Sequence, residues 1–169
     1  MCCTVGMTSR TLLTPAALLT TLLVSAQAQT PATQSPAGPL SAAWSKARLS
    51  TATFVILDPQ MVGPNLLGGS DQTSVLAAMR RDAAGALKRR YPGATIGKDM
   101  ASPQAIRVTP VLQTPGALLP WLKLNARLDF TLPEGERISV GQDFTLWSVY
   151  QHQAEAANFV YDQLAQRLP

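Results

Sequence analysis

The stretch Trp121-Leu122-Lys123-Leu124-Asn125-Ala126-Arg127-Leu128-Asp129-Phe130-Thr131-Leu132 carries an apolar residue at every even position and, after Trp121, a polar or charged one at every odd position. A period of two over this length predicts a β-strand with one buried face. Beyond Pro133-Glu134-Gly135 the pattern returns from Arg137 to Trp147, with Ile138, Val140, Phe144 and Leu146 even and Arg137, Ser139, Asp143 and Thr145 odd. The two segments form a hairpin.

Parity selects its register. Leu132 opposite Arg137 would set apolar against polar positions along the whole ladder, because a one-residue slip turns every side chain to the other face. A three-residue loop Pro133-Glu134-Gly135 instead pairs Leu132 with Glu136, Phe130 with Ile138, Leu128 with Val140, Leu124 with Phe144 and Leu122 with Leu146. Pro at the first position of a type I turn and Gly at the left-handed position suit that loop. On the outer face the same register sets Trp121 beside Trp147, Asn125 beside Asp143 and Asp129 beside Ser139.

Working outward, Thr53-Phe54-Val55-Ile56-Leu57, stopped by Asp58-Pro59, reads as a central strand. Ser70 or Asp71 caps a helix running to about Arg90, with Val75, Leu76, Met79, Ala83, Ala86 and Leu87 on one stripe. Ala94-Thr95-Ile96 is a short edge strand. Ile106 to Leu112 is a further strand, placed at an edge or bulged because Pro110 lacks a ladder N–H. Ser148 and Gln151 have the spacing of a capping box, and a closing helix runs from there to about Arg167 on a stripe of Ala156, Ala157, Val160, Leu164 and Leu168. The expected fold class is α+β: a mostly antiparallel four-stranded sheet with two helices on one face, in the order β-α-β-β-β-α.

The amino-terminal segment has a different character. Residues 1–28 have the form of an export signal: Arg10, then the apolar run Thr11 to Val24, then Ala26-Gln27-Ala28 as a small-residue cleavage site. The run is short for a membrane span. Cys2 and Cys3 both precede it, so no Cys stands where a lipoprotein signal would place one, and cleavage after Ala28 leaves a mature chain without cysteine. Disulfides, thiol catalysis and Cys-based metal sites are then excluded. Residues 29–45, rich in Pro, Ala, Thr, Ser and Gln, read as a flexible linker, and 46–169 as a single domain. The expected location is periplasmic or secreted, with no transmembrane span in the mature chain.

The candidates for chemistry are few. Gly63-Pro64-Asn65-Leu66-Leu67-Gly68-Gly69-Ser70 imitates a phosphate-binding loop but has Gly69 in place of the lysine, and reads as a surface loop. With His152 the only histidine, no site built from several His ligands exists, and no Gly-x-Ser-x-Gly elbow accompanies it. No cofactor is called for. Asp129 and Asp143 share the outer hairpin face with Lys123, Arg127 and Arg137, which hold carboxylates ionised and disfavour a general acid. A hydrolase using them is the least favoured reading.

Two surfaces are candidate binding sites. Arg80, Arg81, Lys88 and Arg89 lie off the apolar stripe of the first long helix; they read either as an anion-binding patch for a lipid surface or polymer, or as a solvated face whose last cations favour the helix dipole. Of 14 Lys and Arg only Arg10 lies in the leader, which leaves 13 against 10 Asp and Glu. That excess is too small for the footprint of a nucleic-acid binder. Trp121 and Trp147 read as a platform for a sugar ring or a partner protein, or as a pair covered by the linker or by the loop from Gln113 to Pro120.

The order of elements, with Ile106-Arg107-Val108-Thr109 leading through Pro115-Gly116 to a long amphipathic hairpin and a final helix, resembles small bacterial envelope proteins related to curli-assembly and TolB amino-terminal modules, including uncharacterised lipoprotein families. The resemblance covers about Thr53 to Leu168. It implies a non-enzymatic assembly or binding role with an envelope protein as partner. It carries no catalytic residues over, and the acylated Cys of those relatives is missing.

Overall fold

The structure, a computed structural model, describes residues 43–64 and 66–169. The segments expected to be an export signal (1–28) and, up to residue 42, a flexible linker lie outside the described residues. The elements are α1 (Lys46–Leu49), β1 (Thr53–Ile56), β2 (Gln60–Val62), α2 (Gly69–Arg90), β3 (Thr95–Gly97), β4 (Ile106–Gln113), β5 (Lys123–Thr131), β6 (Arg137–Thr145), α3 (Leu146–Gln151), a 3-10 turn (Gln153–Glu155) and α4 (Ala156–Gln166).

The hairpin has the register that parity selects. Phe130 pairs with Ile138, Leu128 with Val140 and Leu124 with Phe144. The Leu132 N–H donates to Glu136 C=O at 2.9 Å, and Gly135, at φ +87°, closes the loop by donating to Leu132 C=O at 2.9 Å. Along β5 every even residue from Leu124 to Phe130 is buried and the odd ones are not.

The sheet differs from expectation in number and direction of strands. It has six strands in the order β3-β1-β4-β5-β6, with β2 also paired to β4. Only β4-β5-β6 is antiparallel; β1 is parallel to both β3 and β4, and β2 is parallel to β4. Parallel neighbours need a crossover longer than a turn, and α2 supplies it between the β1–β2 segment and β3. The four-stranded, mostly antiparallel sheet is therefore corrected to a mixed one, and two short helices, α1 and α3, join the two long ones.

Pro110 also has a different consequence from the one expected. The strand that contains it, β4, lies inside the sheet, with β1 and β2 on one side and β5 on the other. Leu57 N–H donates to Val108 C=O at 2.8 Å. In a parallel ladder the next rung would run from the N–H of residue 110 to Leu57 C=O, and proline has no N–H to give. The partner strand breaks at that point: β1 ends at Ile56 and β2 starts at Gln60. A proline is thus tolerated inside the sheet because its neighbour is interrupted opposite it.

The helices pack on the even face of β5. From α2 come Met79, Ala83, Ala86 and Leu87, and from α4 come Val160, Tyr161, Leu164 and Ala165. Trp44, ahead of Lys46, is only 6% exposed and meets Phe130 edge to face at 4.9 Å. The packed chain therefore includes Trp44 as well as Leu49 of α1.

Helix ends depart from the sequence reading. Gly68 is the N-cap of α2, so Ser70 and Asp71 fall inside its first turn, where Asp71 still faces the positive end of the dipole. The closing helix is not continuous. Thr145, not Ser148, caps α3, with its Oγ1 accepting the Ser148 N–H at 3.2 Å. The chain then breaks at Gln153, whose φ of +41° is left-handed, and α4 begins only at Ala156. His152 sits at this break as the C-cap of α3, with its ring stacked on Phe159 at 3.7 Å and Nδ1 2.7 Å from Ser148 C=O.

Candidate apolar binding site

The break between α3 and α4 has a spatial consequence. Near its amino end α2 presents Val75 and Ala78, the start of α4 presents Ala156 and Ala157, and between them lies an open cleft of about 410 Å³ whose floor includes Leu112 of β4 and Leu124 of β5. Loops bearing Leu67 and Leu118 complete the walls. Small residues on both helices leave the space between them unfilled here, whereas towards the other end of α2 the two helices are clamped. Arg89 reaches Asp162 at 2.7 Å and also bonds Asn158.

Among the described residues no Asp, Glu, Lys, Arg or His lines the cleft. Its polar side chains are Ser74, Thr114, Gln153 and Tyr161, of which Ser74 Oγ donates to Ser70 C=O at 3.0 Å and Thr114 Oγ1 donates to Pro64 C=O at 2.9 Å. Tyr161 also lines it and is buried. Burial, and secondarily the charge of Asp82, push its phenol far above the ordinary 10.0, so it presents a neutral hydroxyl. Asp82 itself is 8% exposed and is held by Arg81, through Nε at 2.7 Å and Nη2 at 3.0 Å.

The two buried tyrosines give a pH dependence. Tyr91, whose hydroxyl donates to Pro169 C=O at 2.7 Å, is likewise raised above 10.0 by burial. An unfolded phenol releases its proton near pH 10 while the folded one keeps it. Stability is therefore complete below pH 10 and is lost as pH rises from there towards the folded-state values, by about 1 kcal/mol for a tyrosine shifted as far as Tyr161 at pH 11. Urea midpoints measured at pH 9 and pH 11 are expected to show this fall, with a shallower slope in Tyr161→Phe. An equal slope would remove Tyr161 from the account.

The two tryptophans are close to this end of the domain but are not the cross-strand pair the sequence suggests. The ladder ends at Lys123 and Thr145, and Trp147 is the second residue of α3. Its ring stacks on Tyr150, centroids 6.3 Å apart and planes at 26°. Trp121 is 70% exposed, Trp147 55% and Tyr150 72%, with Leu118 and Leu119 also exposed. Trp147, Tyr150, Pro120 and Leu118 border a second apolar hollow that shares Leu118, Leu146 and Val149 with the main cleft. Cleft and aromatic rim are thus one surface. Tyr150 was missed because Trp147 was assigned to a strand; on a helix, residues three apart are neighbours, and the spacing was present in the sequence.

The basic residues of α2 are each engaged within the domain. Arg80 pairs with Asp58 at 2.9 Å and reaches Ile56 C=O at 3.2 Å, while Arg81 binds Asp82. Lys88 Nζ donates to Pro92 and Ala94 carbonyls at 2.8 and 2.7 Å, fastening the turn after α2, and Arg89 binds α4. Each cation has an internal acceptor, which reduces the charge offered to an external anion.

The outer-face carboxylates are likewise held apart. Asp143 accepts from Asn125 Nδ2 at 2.8 Å, and Asp129 pairs with Arg127 at 3.1 Å. Asp143 pairs with Asn125, four positions along β5 from Asp129, which is about 13 Å at strand rise. Paired carboxylates of glycoside hydrolysis stand about 5 to 9.5 Å apart. Among the described residues no group of three or more His, Cys, Asp or Glu is placed to hold a metal ion, and no helix is long and apolar enough to cross a membrane.

No protein-family model matches the chain, and no curated protein sequence matches it. Among solved structures the chain is similar to a neuraminyllactose-binding hemagglutinin homolog from Helicobacter pylori, with 14% identity, a TM-score of 0.43, and coverage of 70% of this chain and 86% of the other. It is also similar to a minor lipoprotein from Acinetobacter baumannii, with 13% identity, a TM-score of 0.29, and coverage of 68% and 86%.

Proposed function

We propose that the chain is an exported, non-enzymatic protein of the bacterial cell envelope that acts through protein contacts made by the apolar end of its domain. The observation that carries this reading is that exposed Leu118 lines the apolar cleft, exposed Trp147 and Tyr150 border the hollow that shares Leu118, Leu146 and Val149 with it, and Leu119 and Trp121, beside Leu118 in the chain, are exposed too. Exposed apolar surface of this kind is costly to leave in water and marks contact sites. Large aromatic residues dominate the energetics of such contacts, because each buries a wide rigid surface. The leader sequence supports an extracytoplasmic location, and an assembly or accessory role follows from a contact surface without a reactive group.

Capture from envelope extracts tests this. Wild-type protein is expected to retain a partner that a Trp121→Ala/Trp147→Ala double variant loses, by tenfold or more in recovered amount. Identical partner sets for the two proteins would sink the reading.

A further inference from the structure

The geometry points to a ligand for the cleft: one acyl chain of a membrane phospholipid, inserted between α2 and α4 with its headgroup left in water at the aromatic rim. This rests on reading the apolar end of the domain as its functional end, and it names the chemistry that the cleft itself recognises.

Size comes first. A dry apolar cavity of about 150 Å³ accepts the six carbons of benzene. At that ratio the 410 Å³ of the cleft hold a chain of about sixteen carbons.

Polarity decides between hydrocarbon and peptide. An extended peptide would bring an N–H and a C=O per residue into the cleft, and each needs a partner. The walls have few to offer: the Ser74 and Thr114 hydroxyls already donate to backbone carbonyls, which leaves the Gln153 amide and the Tyr161 hydroxyl as side-chain partners along the whole cleft. A methylene chain asks for none. Among the described residues no Lys, Arg or His lines the cleft, so the charged end of a bound lipid finds no partner inside it and stays in water.

The rim fits the same occupant. Trp147 and Tyr150 border the hollow continuous with the cleft, and Trp121, Leu118 and Leu119 are exposed at the same end of the domain. Indole and phenol rings settle at the boundary between acyl chains and headgroups, where one end is apolar and the other wet. This end of the domain can thus rest at a bilayer surface while one chain enters the cleft.

Lysophosphatidylcholines of ten to sixteen carbons, held below micelle formation, test this by competing with the fluorescent probe N-phenyl-1-naphthylamine on the full chain as exported and processed by the expressing cell. Saturable one-to-one displacement is expected, strengthening about two- to fourfold with each added methylene. Ala154→Trp, at an exposed position of the cleft wall, and Ala157→Phe are each expected to weaken the sixteen-carbon ligand at least tenfold while the thermal midpoint is held. Equal affinities for ten and sixteen carbons overturn the proposal, and this needs no variant. Undiminished binding in both folded variants overturns it, as does saturable binding of an amphipathic Leu-rich peptide by a protein that ignores the lysolipids. Both wall variants leave Trp121 and Trp147 in place. Lost lipid binding with retained partner capture, or the converse, therefore separates failure of this proposal from failure of the protein-contact reading.

Discussion

Phe130→Ala is expected to destabilise the domain by about 3 to 5 kcal/mol, a large share of the roughly 5 to 15 kcal/mol that holds a domain of this size together. Phe130 is fully buried on β5, pairs with Ile138 across the hairpin and receives the edge of Trp44 at 4.9 Å. Truncation removes the transfer free energy of a ring and leaves a void that the flanking strands β4 and β6, fixed by their ladders, cannot close. Urea denaturation gives the number. In a Trp121→Phe/Trp147→Phe background Trp44 is the sole indole, so its emission reports whether the start of the domain loosens with the core. A loss under about 1 kcal/mol would mean that the even face of the hairpin is not the centre of packing.

Gly63→Ala is the second substitution expected to have a large effect, about 2 to 3 kcal/mol. Gly63 has a φ of +107°, a region that side chains avoid, and a Cβ added there would lie 2.8 Å from the Thr114 carbonyl oxygen and 2.9 Å from Thr114 Oγ1. Neither atom is free to move: Thr114 N–H donates to Val62 C=O at 2.8 Å, and its hydroxyl donates to Pro64 C=O. The clash therefore pries apart the two loops that carry Leu67 and Leu118 to the cleft. A fall in thermal midpoint on the order of 10 °C is expected, together with weaker lysolipid binding. Gly116→Ala, where a new Cβ meets nothing within 4 Å, serves as the near-neutral control. Similar midpoints for the two variants would show that the loops yield.

How much of this was legible in the sequence differs from element to element, for physical reasons. From the turn to Lys123 and Thr145 the register of the hairpin was readable because its information is local: alternation sets the faces, and Pro133-Glu134-Gly135 sets the turn. The stripes of α2 and α4 were readable for the same reason, each being a periodic match to one face. Pro110 was not, because its missing N–H is harmless or costly according to what lies beside it, and its neighbour is a segment some fifty residues earlier in the chain. The direction of β1 against β3 and β4 depends likewise on where α2 returns the chain.

The site divides in the same way. By itself the sequence determined an amphipathic hairpin in one register, two helices to cover it, and a chain with a single histidine and with both cysteines ahead of the apolar run. The basic run of α2 was visible too, but its partners Asp58 and Asp162, and the carbonyls of Pro92 and Ala94, are joined to it only by folding. Only the tertiary structure decided that the last helix breaks at Gln153 and that Trp147 turns to Tyr150 and not to Trp121. It also decided that small residues on α2 and α4 leave a cleft. A cleft is a shape made by residues that fail to touch, and no local pattern records a contact that is not made.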